Sequence, residues 1–167
     1  LFAGVSSYAD FEGKKSKWKG YTKTDFKVGE HAAFVVEPKT QAVGKPWVWR
    51  ARFPTYHTEI DELLLADGYH IAHINTGSKL GSPKALVIWK EFYDLLTTQY
   101  RLNQKMALEG VSRGGLYVYR WAKKYPQTVA CIYNDTPVCD FKSWPGGKGK
   151  GKGANGEWKR VLTEYGF

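Results

Sequence analysis

Lys105-Met106-Ala107-Leu108-Glu109-Gly110-Val111-Ser112-Arg113-Gly114-Gly115-Leu116-Tyr117-Val118-Tyr119-Arg120-Trp121 is the stretch whose reading decides the fold. Its first part, 105–110, reads as a strand. Its last part, 114–125, reads as an amphipathic helix, with apolar residues recurring at the helical period. Between them, Gly110-Val111-Ser112-Arg113-Gly114 fits the pattern G-x-S-x-G. Five matching residues alone would mean little. A strand before and a helix after give them a mechanical reason: the chain reverses sharply, and Gly110 and Gly114 are expected where side chains would strike neighbouring backbone. Such a turn projects the Ser112 hydroxyl from the carboxyl edge of a sheet, beside the free N–H groups of a helix start.

Outward from this turn the chain alternates. Strands are expected at 26–38, 46–50, 69–75 and 129–133, and helices at 59–66, 83–100 and 157–165. Thr58 is a candidate N-cap, and Pro83 suits a first helical turn. The apolar run Val129-Ala130-Cys131-Ile132-Tyr133 is that of a strand buried on both faces, with Cys131 a buried free thiol. Strands alternating with helices imply an α/β class: a mostly parallel sheet with helices on both faces. Residues 1–25 read as an irregular lead-in, and 146–153, a run of Gly and Lys, as a flexible loop. One domain over 1–167 is expected.

Composition narrows the function classes. Hydrophobic residues at 43% and charged residues at 25% are those of a folded domain. The seven Trp and eleven Tyr must partly fill a core and partly line a cleft. A net charge of +9 serves solubility or attracts an anionic partner, but no nucleic-acid motif accompanies it. No apolar run approaches the roughly 18 residues of a membrane span. Two cysteines make no disulfide framework, and His70 with His73 in a strand makes no metal set. No cofactor is expected. The chain begins at Leu1 rather than Met, which favours a trimmed, exported protein, secreted or periplasmic.

The strand–turn–helix around Ser112, with alternating elements over residues 26–145, resembles the α/β-hydrolase family. The resemblance implies that Ser112 is the nucleophile and that the Arg113 N–H is one oxyanion donor. The family's second donor lies after its third strand, here 46–49, which makes Arg50, Ala51 and Arg52 candidates. The family's frequent His-Gly-Gly is replaced there by Trp49-Arg50-Ala51-Arg52-Phe53. Residues 46–53, the Ser-Arg-Gly-Gly turn and Asp135–Gly147 together resemble a bacterial subgroup of hydrolases found among polysaccharide-degrading enzymes. The Ser-Arg pair is also similar to that of glucuronoyl esterases.

A serine hydrolase needs a base and an acid that orients it, and in this family they follow the serine in the order acid, then histidine. The four histidines, His31, His57, His70 and His73, all precede Ser112. The resemblance therefore implies that the chain holds only the N-terminal portion of the fold, with roughly 80–120 residues lacking at typical domain size. A second chain is the alternative source, and His57, in the loop after Trp49, is the in-chain candidate base. His57 could equally serve that loop's own hydrogen bonds. Asp135 is the in-chain candidate acid, or a turn carboxylate. Trp144 could line the substrate cleft or pack its loop down. Arg52, with Arg50 and Arg113, could bind an anionic substrate or pair with Asp135 or Glu109. The expected activity is cleavage of carboxylic esters through an acyl-enzyme, with a carbohydrate ester as substrate. The alternative is a non-catalytic carbohydrate-binding protein on the same scaffold.

Overall fold

The computed structural model describes residues 10–167. Seven strands form one mixed sheet in the order β1-β2-β3-β5-β4-β6-β7. They are β1 (Lys14–Trp18), β2 (Tyr21–Val28), β3 (His31–Glu37), β4 (Trp47–Arg50), β5 (His70–Ile74), β6 (Met106–Val111) and β7 (Val129–Asp135). The helices are α1 (Glu59–Ala66), α2 (Pro83–Asp94), α3 (Gly114–Lys124) and α4 (Asn155–Tyr165). Strands β5, β4, β6 and β7 run parallel, as helical crossovers require. Strands β1, β2 and β3 are an antiparallel meander joined to β5.

That meander corrects the expected lead-in over 1–25. Residues 10–25 hold β1 and most of β2, while 1–9 lie outside the described residues. The turn between the strands places Lys19 at φ +48 and Gly20 at φ +84, the left-handed pair that a two-residue hairpin needs. Four of the five β1 residues are exposed. Lysines on such an open edge hinder edge-to-edge pairing, so composition there conceals a strand.

The two faces of the sheet are covered unequally. Val36, Val48, Leu65 and Ile71 pack under α1. Against α2 and α3 lies a larger aromatic core in which Trp47, Trp49, Trp89 and Trp121 are all buried. Trp49 stacks on Trp89 with ring centroids 4.0 Å apart and meets Trp121 edge-on at 5.1 Å. Ser82 accepts from the Ala85 N–H and Pro83 opens α2. The expected helix to residue 100 widens at 95–99 into a π turn, where the Thr97 hydroxyl donates to the Tyr93 carbonyl at 2.8 Å. Thr58 precedes α1, but its side chain makes no capping bond.

Strand β7 departs from expectation. Among the described residues it pairs only with β6, and Ile132 and Tyr133 are 39% and 51% exposed. Cys131 is exposed and free rather than buried. No helix among the described residues is long and apolar enough to cross a membrane.

Trp49→Ala should remove the centre of the aromatic core and lower stability by about 3–5 kcal/mol. The change should appear as a fall in the urea midpoint, whereas Val43→Ala, at a fully exposed position, should leave the midpoint in place.

Candidate active site

Strand β6 enters the turn at Val111 and α3 leaves it at Gly114, so Ser112 sits between two buried elements. It adopts φ +51, which side-chain-bearing residues rarely do. Three bonds hold it there. Its N–H donates to the Asp135 carbonyl at 3.0 Å, and its own carbonyl accepts from Gly115 at 3.1 Å and Val138 at 2.8 Å. A side chain at Gly110 would strike the Asn134 amide oxygen, and one at Gly115 would lie 2.6 Å from Pro137 Cβ. At Gly114 the nearest atom would be 3.5 Å away, an ordinary contact, so the crowded glycines are 110 and 115 rather than 110 and 114.

Ser112 lines a pocket of about 260 Å³ with Phe53, Tyr56, Val111, Asp135 and Thr136. The Arg113 N–H, at the start of α3, donates to nothing among the described residues. Across the turn, the candidate donors after β4 separate. Arg50 is paired within the ladder opposite Glu109. The Ala51 N–H is spent on the Glu109 carbonyl at 2.9 Å, which corrects its candidacy. The Arg52 N–H donates to nothing among the described residues and faces Gly114.

Asp135 closes β7 and lines the Ser112 pocket, but makes no hydrogen bond to the serine hydroxyl. His57 lines an adjoining pocket of about 260 Å³ with Glu59, Ile60, Glu109, Val111, Tyr133 and Asp135. Its side chain is 57% exposed, with Nδ1 3.8 Å from the Glu59 carboxylate, and it makes no hydrogen bond to Ser112. His70 and His73 donate from Nδ1 to the Pro46 and Arg50 carbonyls at 3.4 and 2.8 Å, and burial pushes both pKa values down to about 4. They are neutral structural groups, as the strand pattern suggests. Since those carbonyls only accept, each Nδ1 carries the proton.

The three arginines do not converge. Arg52 and Arg113 lie on the Phe53 ring, their guanidinium carbons 5.6 and 5.5 Å from its centroid. Arg52 also donates to the Gly77 carbonyl at 2.7 Å, and Arg113 pairs with Glu157 at 3.5 Å. Arg50 instead turns under α1, only 1% exposed, where it pairs with Asp61 and with Glu109 at 3.4 Å. Trp144 lines neither pocket. It is half-buried and packs against the aromatic core. Phe53, Tyr56 and Asp61 carry no motif, and nothing in the sequence marks them. Among the described residues no group of three His, Cys, Asp or Glu is arranged to hold a metal ion.

No family profile matches the sequence, and no curated protein matches it either. Solved structures do match. An acetyl xylan esterase from Aspergillus awamori aligns at a TM-score of 0.53 and 12% identity, over 66% of this chain and 50% of its own. An α/β hydrolase from a Medee basin deep-sea metagenome aligns at 0.56 and 14%, over 74% and 60%. A Pyrococcus furiosus esterase aligns at 0.56 and 13%, over 93% and 69%. At such identities the likeness establishes the fold, and the chain has the α/β-hydrolase fold. It spans half the length of the first of these proteins.

Burial raises the Glu109 carboxyl from its ordinary value of 4.5 to about 7, with the neighbouring Asp61 adding to the effect and Arg50 opposing it. A raised folded value stabilises below 4.5, and that stability is lost as pH rises through 7. His70 and His73, held low, act in the opposite sense as pH falls below 6.5. The informative quantity is therefore a difference. Wild type minus Glu109→Gln in unfolding free energy, from urea titrations, should fall between pH 4.5 and 7 and level off above.

Proposed function

We propose that this chain carries the nucleophile of a serine hydrolase that cleaves carboxylic esters through an acyl-enzyme on Ser112. The observation that carries the reading is Ser112 itself: a strained serine at a strand-to-helix turn, open to a pocket and beside uncommitted N–H groups. Backbone strain at such a point persists because the surroundings fix it, and it commonly marks a site of function.

The Ser112 Oγ would attack the ester carbonyl carbon while its proton passes to a base. The C–O bond to the alcohol then breaks, and the base returns that proton to the departing alkoxide. Water repeats the sequence on the acyl-enzyme and releases the acid. The N–H groups of Arg113 and Arg52 would receive the oxyanion, replacing Arg50 and Ala51 as the second donor. Asp135 is the one carboxylate lining the Ser112 pocket and is the in-chain candidate acid.

His57 makes no hydrogen bond to the serine and its ring lies 3.8 Å from the Glu59 carboxylate, so we place the base on a segment laid beside β7. That segment is a further part of the same protein or a second chain. The open edge of β7 and the exposure of Ile132 and Tyr133 on it support this placement. A carbohydrate ester is the substrate class we favour. Two features support it: the aromatic rings of Phe53 and Tyr56 at the pocket, and the fold likeness to an acetyl xylan esterase.

The intact protein should react with a fluorophosphonate probe and hydrolyse an aryl acetate. Ser112→Ala should abolish labelling and lower kcat by at least roughly a thousandfold. Labelling that persists in Ser112→Ala would overturn the assignment. An unreactive protein that binds glycans in calorimetry would favour the carbohydrate-binding alternative.

A further inference from the structure

The turn over 53–57 supplies two walls of the Ser112 pocket, yet little in its own sequence holds it in shape. Phe53 lies at φ +51 and His57 at φ +49, both in the left-handed region without being glycine. One internal bond, from the Tyr56 N–H to the Phe53 carbonyl at 3.0 Å, closes it. Beside the stacking of Arg52 and Arg113 on the Phe53 ring, the hydrogen bonds from outside the turn come from a single side chain. The Arg50 guanidinium donates to the carbonyls of Phe53 at 3.3 Å, Tyr56 at 2.6 Å and His57 at 3.4 Å. From its other side it pairs with Asp61 on α1 and Glu109 on β6. Arg50 and Glu109 lie opposite one another in the parallel register, three positions before the nucleophile. The arrangement therefore joins the strand that ends in Ser112 to the turn that faces Ser112.

We propose that Arg50 is a positioning residue of the Ser112 site: held by the Asp61 and Glu109 carboxylates, it clamps the 53–57 turn and so sets Phe53 and Tyr56 against the serine. The proposal rests on the reading of Ser112 as a nucleophile. A planar guanidinium can donate to the three turn carbonyls and to Asp61 at once while lying 3.4 Å from Glu109, which a lysine ammonium with three donors cannot. The carboxylates outnumber the cation, and Asp61 Oδ1 is buried without a donor. A proton on Glu109 would occupy that place and leave the cluster neutral.

Several other titratable groups surround the cluster. They are His73 on β5, which meets the Arg50 carbonyl, and Lys19 of the β1–β2 turn, paired with Glu62. His57, Glu59 and Asp135 share a pocket with Glu109. Above the Glu109 titration the cluster holds a net negative charge, and the pull on Arg50 changes.

The test uses the intact protein and two readouts: the second-order rate of fluorophosphonate labelling at Ser112, and amide hydrogen exchange across 53–57. Arg50→Lys should slow labelling by about 10- to 100-fold, the scale of a misplacement near 1 Å. It should also speed exchange at 53–57 while α2 and α3 keep wild-type protection. Glu109→Gln, which removes a buried charge and keeps an acceptor for Arg50, covers the case in which Arg50→Lys does not fold. Its labelling rate should lose the part of the wild-type pH dependence that lies near 7. A merely structural role would move the urea midpoint alone. Wild-type labelling and exchange in a folded Arg50→Lys protein would overturn the proposal, as would an unaltered pH profile in Glu109→Gln. If wild type itself is not labelled, the nucleophile reading fails. The clamp is then decided by exchange alone.

Discussion

Ser112 holds a backbone conformation that a side chain disfavours, and much of the nearby structure exists to enforce it. A non-glycine residue at φ +51 relaxes unless bonds fix both its N–H and its carbonyl. Here those bonds come from β7, from the first turn of α3 and from the 137–138 segment, three pieces of chain that meet only in the folded state. They can meet because Gly110 and Gly115 present no side chain where Asn134 and Pro137 pass. The strain is local, but its support is tertiary.

The aromatic core provides the rigidity behind that support. Helix α3 rests on Trp121, which contacts Trp49 of β4 and Trp89 of α2, so one ring cluster joins the helix after the serine to the strand before the oxyanion loop. The Trp121 indole N–H is also satisfied, donating to the Thr128 hydroxyl at 2.9 Å. On the opposite face the cover is thinner, a single short helix, and there a charged cluster sits beside the smaller apolar patch of Val36, Val48, Leu65 and Ile71. Strand alternation produces this division. Trp49 points to the aromatic side and Arg50 to α1, so neighbouring residues serve two different devices.

The parallel half of the fold was legible because hydrophobic period and turn residues agree there. The helices at 59–66 and 114–125 and the strand before Ser112 follow from that agreement. The antiparallel edge was hidden, since Lys14-Lys15-Ser16-Lys17-Trp18 has the composition of a solvated loop and is a strand only by pairing. At the site, Ser112 and Arg113 were legible from a motif whose geometry is local. The second N–H donor was not, because the choice between Ala51 and Arg52 depends on which amide the β6 ladder consumes. Register is a property of two strands, and neither strand's sequence states it. The arginines were alike in sequence for the same reason: only the position of α1 and its Asp61 separates the buried Arg50 from the stacked Arg52 and Arg113.

Strand β7 shows the opposite disagreement, an apolar run read as buried that the structure leaves exposed. Val129-Ala130-Cys131-Ile132-Tyr133 has the apolar continuity of a strand covered on two faces, yet its side chains are exposed. An open parallel edge of this kind, with Ile132 and Tyr133 facing water, is a surface that another backbone would pair with readily. The Ser112 pocket is bounded on that side by Asp135 and Thr136, at the end of the same strand. A segment laid along β7 would thus pair with its open edge and arrive beside the serine in one step. The proposed base needs that position, and among the described residues no histidine hydrogen-bonds to Ser112: His70 and His73 are buried, His31 opens β3, and His57 is exposed beside Glu59.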